Sequence, residues 1–303
     1  MPEKMKAYTY LTLAMIIVGS SVVFGKVITQ SFPIFLASGL RFAIASMLLL
    51  PLLVKSREKR ARPTRKDWGH LLFMAFCGQV VFTFFVLLGL RYTSAIEAGL
   101  ITSASPAMMA AVSWLFFREK PLPIQLFAII TVVFGIVIVN DVFSIQSASD
   151  NPGRIWGNLL MVGAVIGEAF FLLMRKRIST QISNLDLTAY LCAIGFAFFL
   201  PLAVWQAMDF NFSSVSAGAW LSMLYFGAVF TVFAYLFWFK GVSMVSGSVA
   251  GIFTAVMPIS AVILSILFLN ETFGRHHGIG GGLILISIAL STIGQESGGK
   301  NPP

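Results

Sequence analysis

Ten stretches of this chain carry little that water would hold: 8–28, 33–54, 69–90, 95–117, 123–141, 155–174, 186–206, 217–239, 243–268 and 276–293. Each is close to the ~20 residues that an α-helix needs to cross a bilayer. Where no water reaches the backbone, every N–H and C=O must be satisfied internally, so such runs fold as helices. Composition agrees. Mean hydropathy is +0.87 and 11% of residues are charged, against about a quarter in a soluble domain. The expected fold class is an all-α polytopic membrane protein with ten transmembrane helices and the lipid bilayer as its solvent.

The net charge of +9 invites a nucleic-acid reading, but the cations sit in short clusters between apolar runs and not along one helical face. They read as topology signals, and no nucleic-acid partner is expected. With the N-terminus inside, Lys4, Lys6, Lys55, Arg57, Lys59, Arg60, Arg62, Arg65, Lys66, Arg118, Lys120, Arg175, Lys176, Arg177, Lys240 and Lys300 all fall on that side. Only Arg91, Arg154 and Arg275 fall outside, while Lys26 and Arg41 lie within helices. The excess of inside cations places both termini in the cytoplasm. The first run lacks a small-residue cleavage site after its basic start, so it reads as a retained helix. Cys77 and Cys192 both lie in apolar runs, which gives neither a disulfide framework nor a metal-ligand spacing.

The chain also repeats itself. Gly89 to Glu119 recurs without a gap as Gly241 to Glu271, with ten identities in 31 positions, among them Gly99/Gly251, Thr102/Thr254, Pro106/Pro258 and Glu119/Glu271. Leu50-Pro51-Leu52 against Leu200-Pro201-Leu202 extends the match toward the start. A duplication with five helices per copy must insert its second copy upside down. The domains are therefore read as a first five-helix repeat over 1–145, a second, inverted repeat over 155–295 and a cytoplasmic tail over 296–303. Inverted repeats supply two near-equivalent states, one open to each side, which is the usual basis of alternating access.

Ten helices in two halves, Tyr92-Thr93-Ser94-Ala95 leading through small residues to Pro106 and Arg118-Glu119, the echo ending Asn270-Glu271, and Arg41-Phe42 in helix 2 resemble the EamA-type transporters of the drug/metabolite transporter superfamily. The resemblance covers nearly the whole chain. It implies a bacterial-type inner-membrane carrier with a central cavity between the halves, many such proteins exporting amino acids or related small metabolites. Glu97 stands where those sequences more often have a small or neutral residue.

Helix 4 carries Gly99, Ser103, Pro106, Ala110 and Ser113 at helical spacing, one face of small residues, and helix 9 echoes it with Gly251, Ala255, Pro258 and Ser265. Such faces let membrane helices approach closely. Pro106 and Pro258 each remove the bond reaching back to Thr102 and Thr254, and sit about 16 Å into their helices, so they read either as hinges in a cavity wall or as plain bends. Intramembrane charges are costly and default to functional candidates. Lys26 and Glu97, at similar depth, suggest an outer gate or the two ends of a zwitterion site, against snorkelling to the interface. Arg41 is deeper, and is read as structural or as a solute contact. Glu168 lies past the midplane, either as a proton carrier or as a partner of the Arg175 cluster. Gln79, Thr83 and Val86 share a face of helix 3, and the repeat carries them onto Thr231, Tyr235 and Trp238 of helix 8. They read as a cavity lining or as packing. The expected substrate-binding set is thus Gln79, Thr83, Glu97, Thr102, Thr231, Tyr235, Trp238 and Thr254, and the gating or coupling set is Lys26, Arg41, Pro106, Glu168 and Pro258. Glu119 and Glu271 read as helix-end anchors.

These features favour a secondary transporter of a small-molecule substrate working as a monomer, with proton coupling and import of another organic solute, such as a drug-like amine or a nucleotide-linked metabolite, as alternatives. No Gly-Lys-Ser/Thr phosphate loop occurs, and neither a cofactor nor a metal is expected. His70, His276 and His277 sit at helix ends without a nucleophile or metal-ligand spacing, so an intramembrane enzyme is the remote reading.

Overall fold

All ten apolar runs fall on helices in the computed structural model, which describes residues 2–55, 63–140, 153–178, 182–245 and 247–298. The loop cations Arg57, Lys59, Arg60, Arg62 and Lys300, the repeated Ser246 and the end of the tail lie outside the described residues. The first half consists of α1 (Pro2–Ser31), α2 (Ile34–Lys55), α3 (Arg65–Ala75), α4 (Phe82–Tyr92), α5 (Ala95–Thr102), α6 (Ser105–Phe117) and α7 (Pro123–Val139). The second consists of α8 (Arg154–Met174), α9 (Asn184–Met208), α10 (Ala217–Leu224), α11 (Ala234–Val242), α12 (Gly247–Phe253), α13 (Val256–Leu269) and α14 (Arg275–Gly298). Among the described residues there are no strands.

Eight helical segments are long and apolar enough to span a membrane, nine if the bent pair α5 and α6 is one span. α7 has 17 residues, ~26 Å at 1.5 Å per residue, short of a ~30 Å hydrocarbon core. Three further expectations need correcting. The basic start holding Lys4 and Lys6 is not a tail but part of α1. The ninth run begins its helix at Gly247 rather than at 243. Helix 4 is not one continuous face of small residues, because it bends by 50° between α5 and α6. Pro106 has no N–H to give Thr102, and the freed Thr102 carbonyl accepts instead from Ser105 Oγ at 2.8 Å.

The repeat is visible in backbone detail. π-helical turns over Phe76–Val81 join α3 to α4, and over Tyr225–Phe233 join α10 to α11, overlapping when shifted by 152. Arg118 and Asn270, also 152 apart, are the non-glycine residues with positive φ among the described residues, at 56° and 52°. Each is followed by the same turn: Glu119 N donates to Ser113 O at 3.3 Å and Glu271 N to Ser265 O at 3.4 Å. The main helix pairs recur when the halves are exchanged: α2 lies on α9 and α7 on α14, while α1 against α13 and α11 is matched by α8 against α6 and α4, but α5 packs on α13 without a comparable contact between α12 and α6. The largest core cluster, including Ile96, Ile101, Met161, Val165, Ala261 and Ile284, draws on both halves.

Small residues set these approaches. A Cβ on Gly280 would lie 2.7 Å from Gly135 O and 2.8 Å from Val139 N, so the backbones of α7 and α14 nearly touch there. Gly69 in α3 has nothing within 4 Å. Gly280→Ala is therefore expected to lower the thermal midpoint in detergent by an amount equivalent to ~1–3 kcal/mol of overpacking. Gly69→Ala should be neutral or stabilise by about 0.5–1 kcal/mol, since only backbone entropy changes.

Candidate functional site

Arg41, on α2, is 3% exposed and reaches α4 and the second π turn. Nε donates to Thr231 Oγ1 at 2.8 Å and Nη1 to Thr83 Oγ1 at 3.0 Å, so one guanidinium ties the first half to the second. The π geometry positions Thr231, whose hydroxyl donates five residues back to Phe226 O at 2.8 Å. The rings of Phe42, Phe226 and Phe230 lie 4.8–4.9 Å from the guanidinium carbon. Such contacts give about 0.5–2 kcal/mol each, which offsets part of the cost of a desolvated cation. Gln79 is buried beside Gly195 on the same face as Thr83. Tyr235 is half-buried and within electrostatic reach of both Arg41 and Glu168.

Glu168, also half-buried, accepts from Ser105 Oγ at the break in helix 4. Among the described residues it makes no ion pair with the Arg175 cluster, one of the two readings above. Thr102 and Thr254 turn their hydroxyls onto their own helices, to Ala98 O at 2.7 Å and Gly251 O at 2.6 Å. Pro258 is buried, while Pro106, Val86 and Trp238 range from half-buried to buried around the same helices.

A second cluster closes one end of the bundle. Ser94 caps α5 by accepting from Glu97 N at 3.1 Å, which aims the 3% exposed Glu97 side chain toward α8. There Arg154 Nε meets Glu97 Oε1 at 2.6 Å and Asn158 Nδ2 meets Oε2 at 2.8 Å, and Thr93 Oγ1 donates to Oε2 at 2.6 Å. His277 Nε2 stands 3.6 Å away. Glu271, from the other half, accepts from Ala95 N at 2.7 Å and Ile96 N at 2.8 Å, the first amides of α5. A cavity of about 480 Å³ opens over this end, lined by Ser94, Glu97, Arg154, Glu271 and His277. Lys26 does not pair with Glu97, because Arg154 holds that carboxylate. Its Nζ donates to Leu90 O at 2.6 Å and to Thr93 O.

Sequence reasoning missed Arg154, Asn158 and Ser105, and read Glu271 as a helix-end anchor without locating the α5 amides that it holds. Arg154 and Asn158 are four apart at the head of an apolar run, which puts both on one face of α8 and marked them as a polar pair. Glu271 carries no local sign of its role, since its partners are 175 residues away. For a metal, the one close group of donors among the described residues is Glu97, His276 and His277, whose ligand atoms lie within 4.8 Å of each other. Arg154 already occupies Glu97 Oε1, and Gly274 N donates to His277 Nδ1 at 3.1 Å. In this structure the three side chains form a hydrogen-bonded knot.

Breaking a buried ion pair from one side costs on the order of 3–5 kcal/mol. Arg154→Met is therefore expected to lower the thermal midpoint strongly, and Arg154→Met with Glu97→Gln to recover a good part of the loss. The cycle between Lys26 and Glu97 should show a coupling of only about 0.5–1 kcal/mol, carried through Thr93, which both side chains contact without touching each other.

The comparisons with known proteins agree with this architecture. A model of the EamA-like transporter family matches twice, over residues 5–141 and 155–293. An uncharacterized transporter of Bacillus subtilis, YetK, is 40% identical, covering 97% of this chain and 89% of its own. An uncharacterized transporter of Archaeoglobus fulgidus is 25% identical over 96% and 99%. A crystal structure at 17% identity superposes with a TM-score of 0.62 over 94% of this chain and 96% of the other, a likeness of fold alone. With two family matches that between them span most of its length, this multi-pass membrane protein belongs to the EamA-like transporter family.

Proposed function

We propose that this chain is a secondary carrier that moves a small organic solute by alternating access, through ten spans arranged as two inverted five-helix halves with both termini in the cytoplasm. α7 and the bent α5–α6 pair complete the ten. Amino acids or similar small amphipathic metabolites are the proposed solutes and export across the inner membrane the proposed direction, both resting on the family resemblance. A single chain suffices, because the helix faces of small residues are spent within it, Gly99 of α5 against Ala261 of α13.

The observation that carries the reading is a broken symmetry. Glu119 and Glu271 follow identical turns, yet their surroundings differ. Glu271 is half-buried and grips the first amides of α5 across the half-to-half boundary. Glu119 is exposed, and its carboxylate accepts from Ser113 of its own helix. Equivalent elements in unequal contacts are what one state of a rocking pair looks like. On this reading the Arg154 end, the outer one by the distribution of cations, is shut. When the other end shuts, Glu119 takes the equivalent amides of Gly247 and Ser248 and Glu271 lets go. Each carboxylate compensates for the amides that a helix start leaves without partners in an apolar medium.

In proteoliposomes loaded with pooled unlabelled amino acids, a labelled amino acid outside is expected to accumulate transiently by counter-flow. Flux without saturation or counter-flow would mean a channel. Ser103→Cys, placed at the break in helix 4, should react slowly with an impermeant thiol reagent from the outer side. Adding Glu271→Gln should speed that reaction several-fold, and adding Glu119→Gln should not. Equal labelling in both would remove Glu271 from the gate.

A further inference from the structure

Arg41 narrows the chemistry of the solute. Of the five guanidinium N–H groups, one on Nε goes to Thr231 and one on Nη1 to Thr83. The remaining one on Nη1 and the two on Nη2 have no acceptor among the described residues, and no carboxylate there lies within ion-pair reach of Arg41. The contrast with Glu97, which meets a guanidinium, an amide and a hydroxyl, is direct. A 3% exposed cation facing only hydroxyls and rings is costly to keep, and its open Nη1/Nη2 edge is the fork that takes both oxygens of one carboxylate.

We propose, granting the carrier reading, that this edge binds the carboxylate of the transported solute, so that the solute is an organic acid or amino acid and not an amine or a neutral compound. One negative charge neutralises one guanidinium. An amine would meet an uncompensated cation there, and a phosphate monoester would bring a second negative charge that the one guanidinium does not neutralise. Phe226 and Phe230 give the solute's apolar part a surface.

The test is thermal unfolding of the full chain in lipid nanodiscs with L-phenylalanine, L-leucine and phenylacetate, against L-phenylalaninamide, L-leucinamide and phenethylamine. At least one carboxylate is expected to raise the midpoint, and its amide or amine counterpart is not. Arg41→Lys, which keeps the charge and loses the fork, should weaken that response at least tenfold in concentration. Thr231→Val, a lighter change that frees the guanidinium on one side, should weaken it while keeping acid preferred over amide. Amides acting as well as acids, no response to any carboxylate, or an undiminished acid response in Arg41→Lys would each overturn the proposal. The two readings fail separately. Counter-flow of amines or amides by the wild type sinks the Arg41 assignment and leaves the carrier standing. Arg41-dependent carboxylate binding without any counter-flow sinks the carrier and leaves the site.

Discussion

Every backbone amide and carbonyl in this chain has to find a partner inside the protein, since the bilayer core offers none. Unbroken helices solve this by themselves, and the interesting places are those where a helix stops short. At the break in helix 4 the carbonyl abandoned by Pro106 is taken by Ser105, whose hydroxyl also lies against Glu168. At the start of α5 the first amides are taken by Glu271 from the far half. At the second π turn the ladder skips a residue, and the Thr231 hydroxyl donates to the carbonyl of Phe226, five residues back. The irregular backbone of the molecule is therefore where its polar side chains are, and where its two halves are joined.

That coupling explains why the duplication persists in packing but not in charge. The two copies, exchanged, reproduce the main helix pairs. Position 97 is Glu in the first copy and its counterpart, 249, is Val. Thr83 and Tyr235 are likewise counterparts with different side chains, both turned to the neighbourhood of Arg41. The shared pattern supplies the scaffold, and the departures from it mark one end and the centre as chemically distinct. The proposed carrier would need both properties, because identical ends would give no preference of state and unrelated halves would give no second state.

The helices and their duplication were legible in the sequence because both rest on properties carried by consecutive residues: apolar length and a Gly, Thr, Pro, Glu register. The bend at Ser103 and Ala104 was half legible. Pro106 announced a lost hydrogen bond, but the 50° angle depends on Ser103, Ser105 and the small residues that let α5 lean on α13. The π turns left no sign, since a single extra residue per turn does not disturb apolar periodicity. Among the site residues, Arg41 and Glu97 stood out as charges in apolar runs. Their partners did not, because a hydrogen bond from α2 to Thr231, or from residue 271 to residue 95, is a fact of packing and has no local trace. Pairing Lys26 with Glu97 by depth failed for the same reason. Depth places two charges at one level of the membrane but not at one azimuth, and Arg154 lay on the helix that faced Glu97.

The two buried charges also differ in a way that separates anchoring from recognition. A charge kept for structure is saturated by its own protein, because any vacancy in its hydrogen bonding costs stability that selection for folding alone would recover. Glu97 fits that description: guanidinium, amide and hydroxyl converge on it, and three helices are pinned where they meet. Arg41 does not. It is equally buried, it joins the halves through two neutral hydroxyls, and it keeps three donors for which the described chain supplies no acceptor. A purely structural bridge from α2 to α4 and the second π turn could be made by an uncharged side chain at lower cost in a medium of low dielectric. The charge itself is the surplus, and on the proposal above its balance is the carboxylate of the solute.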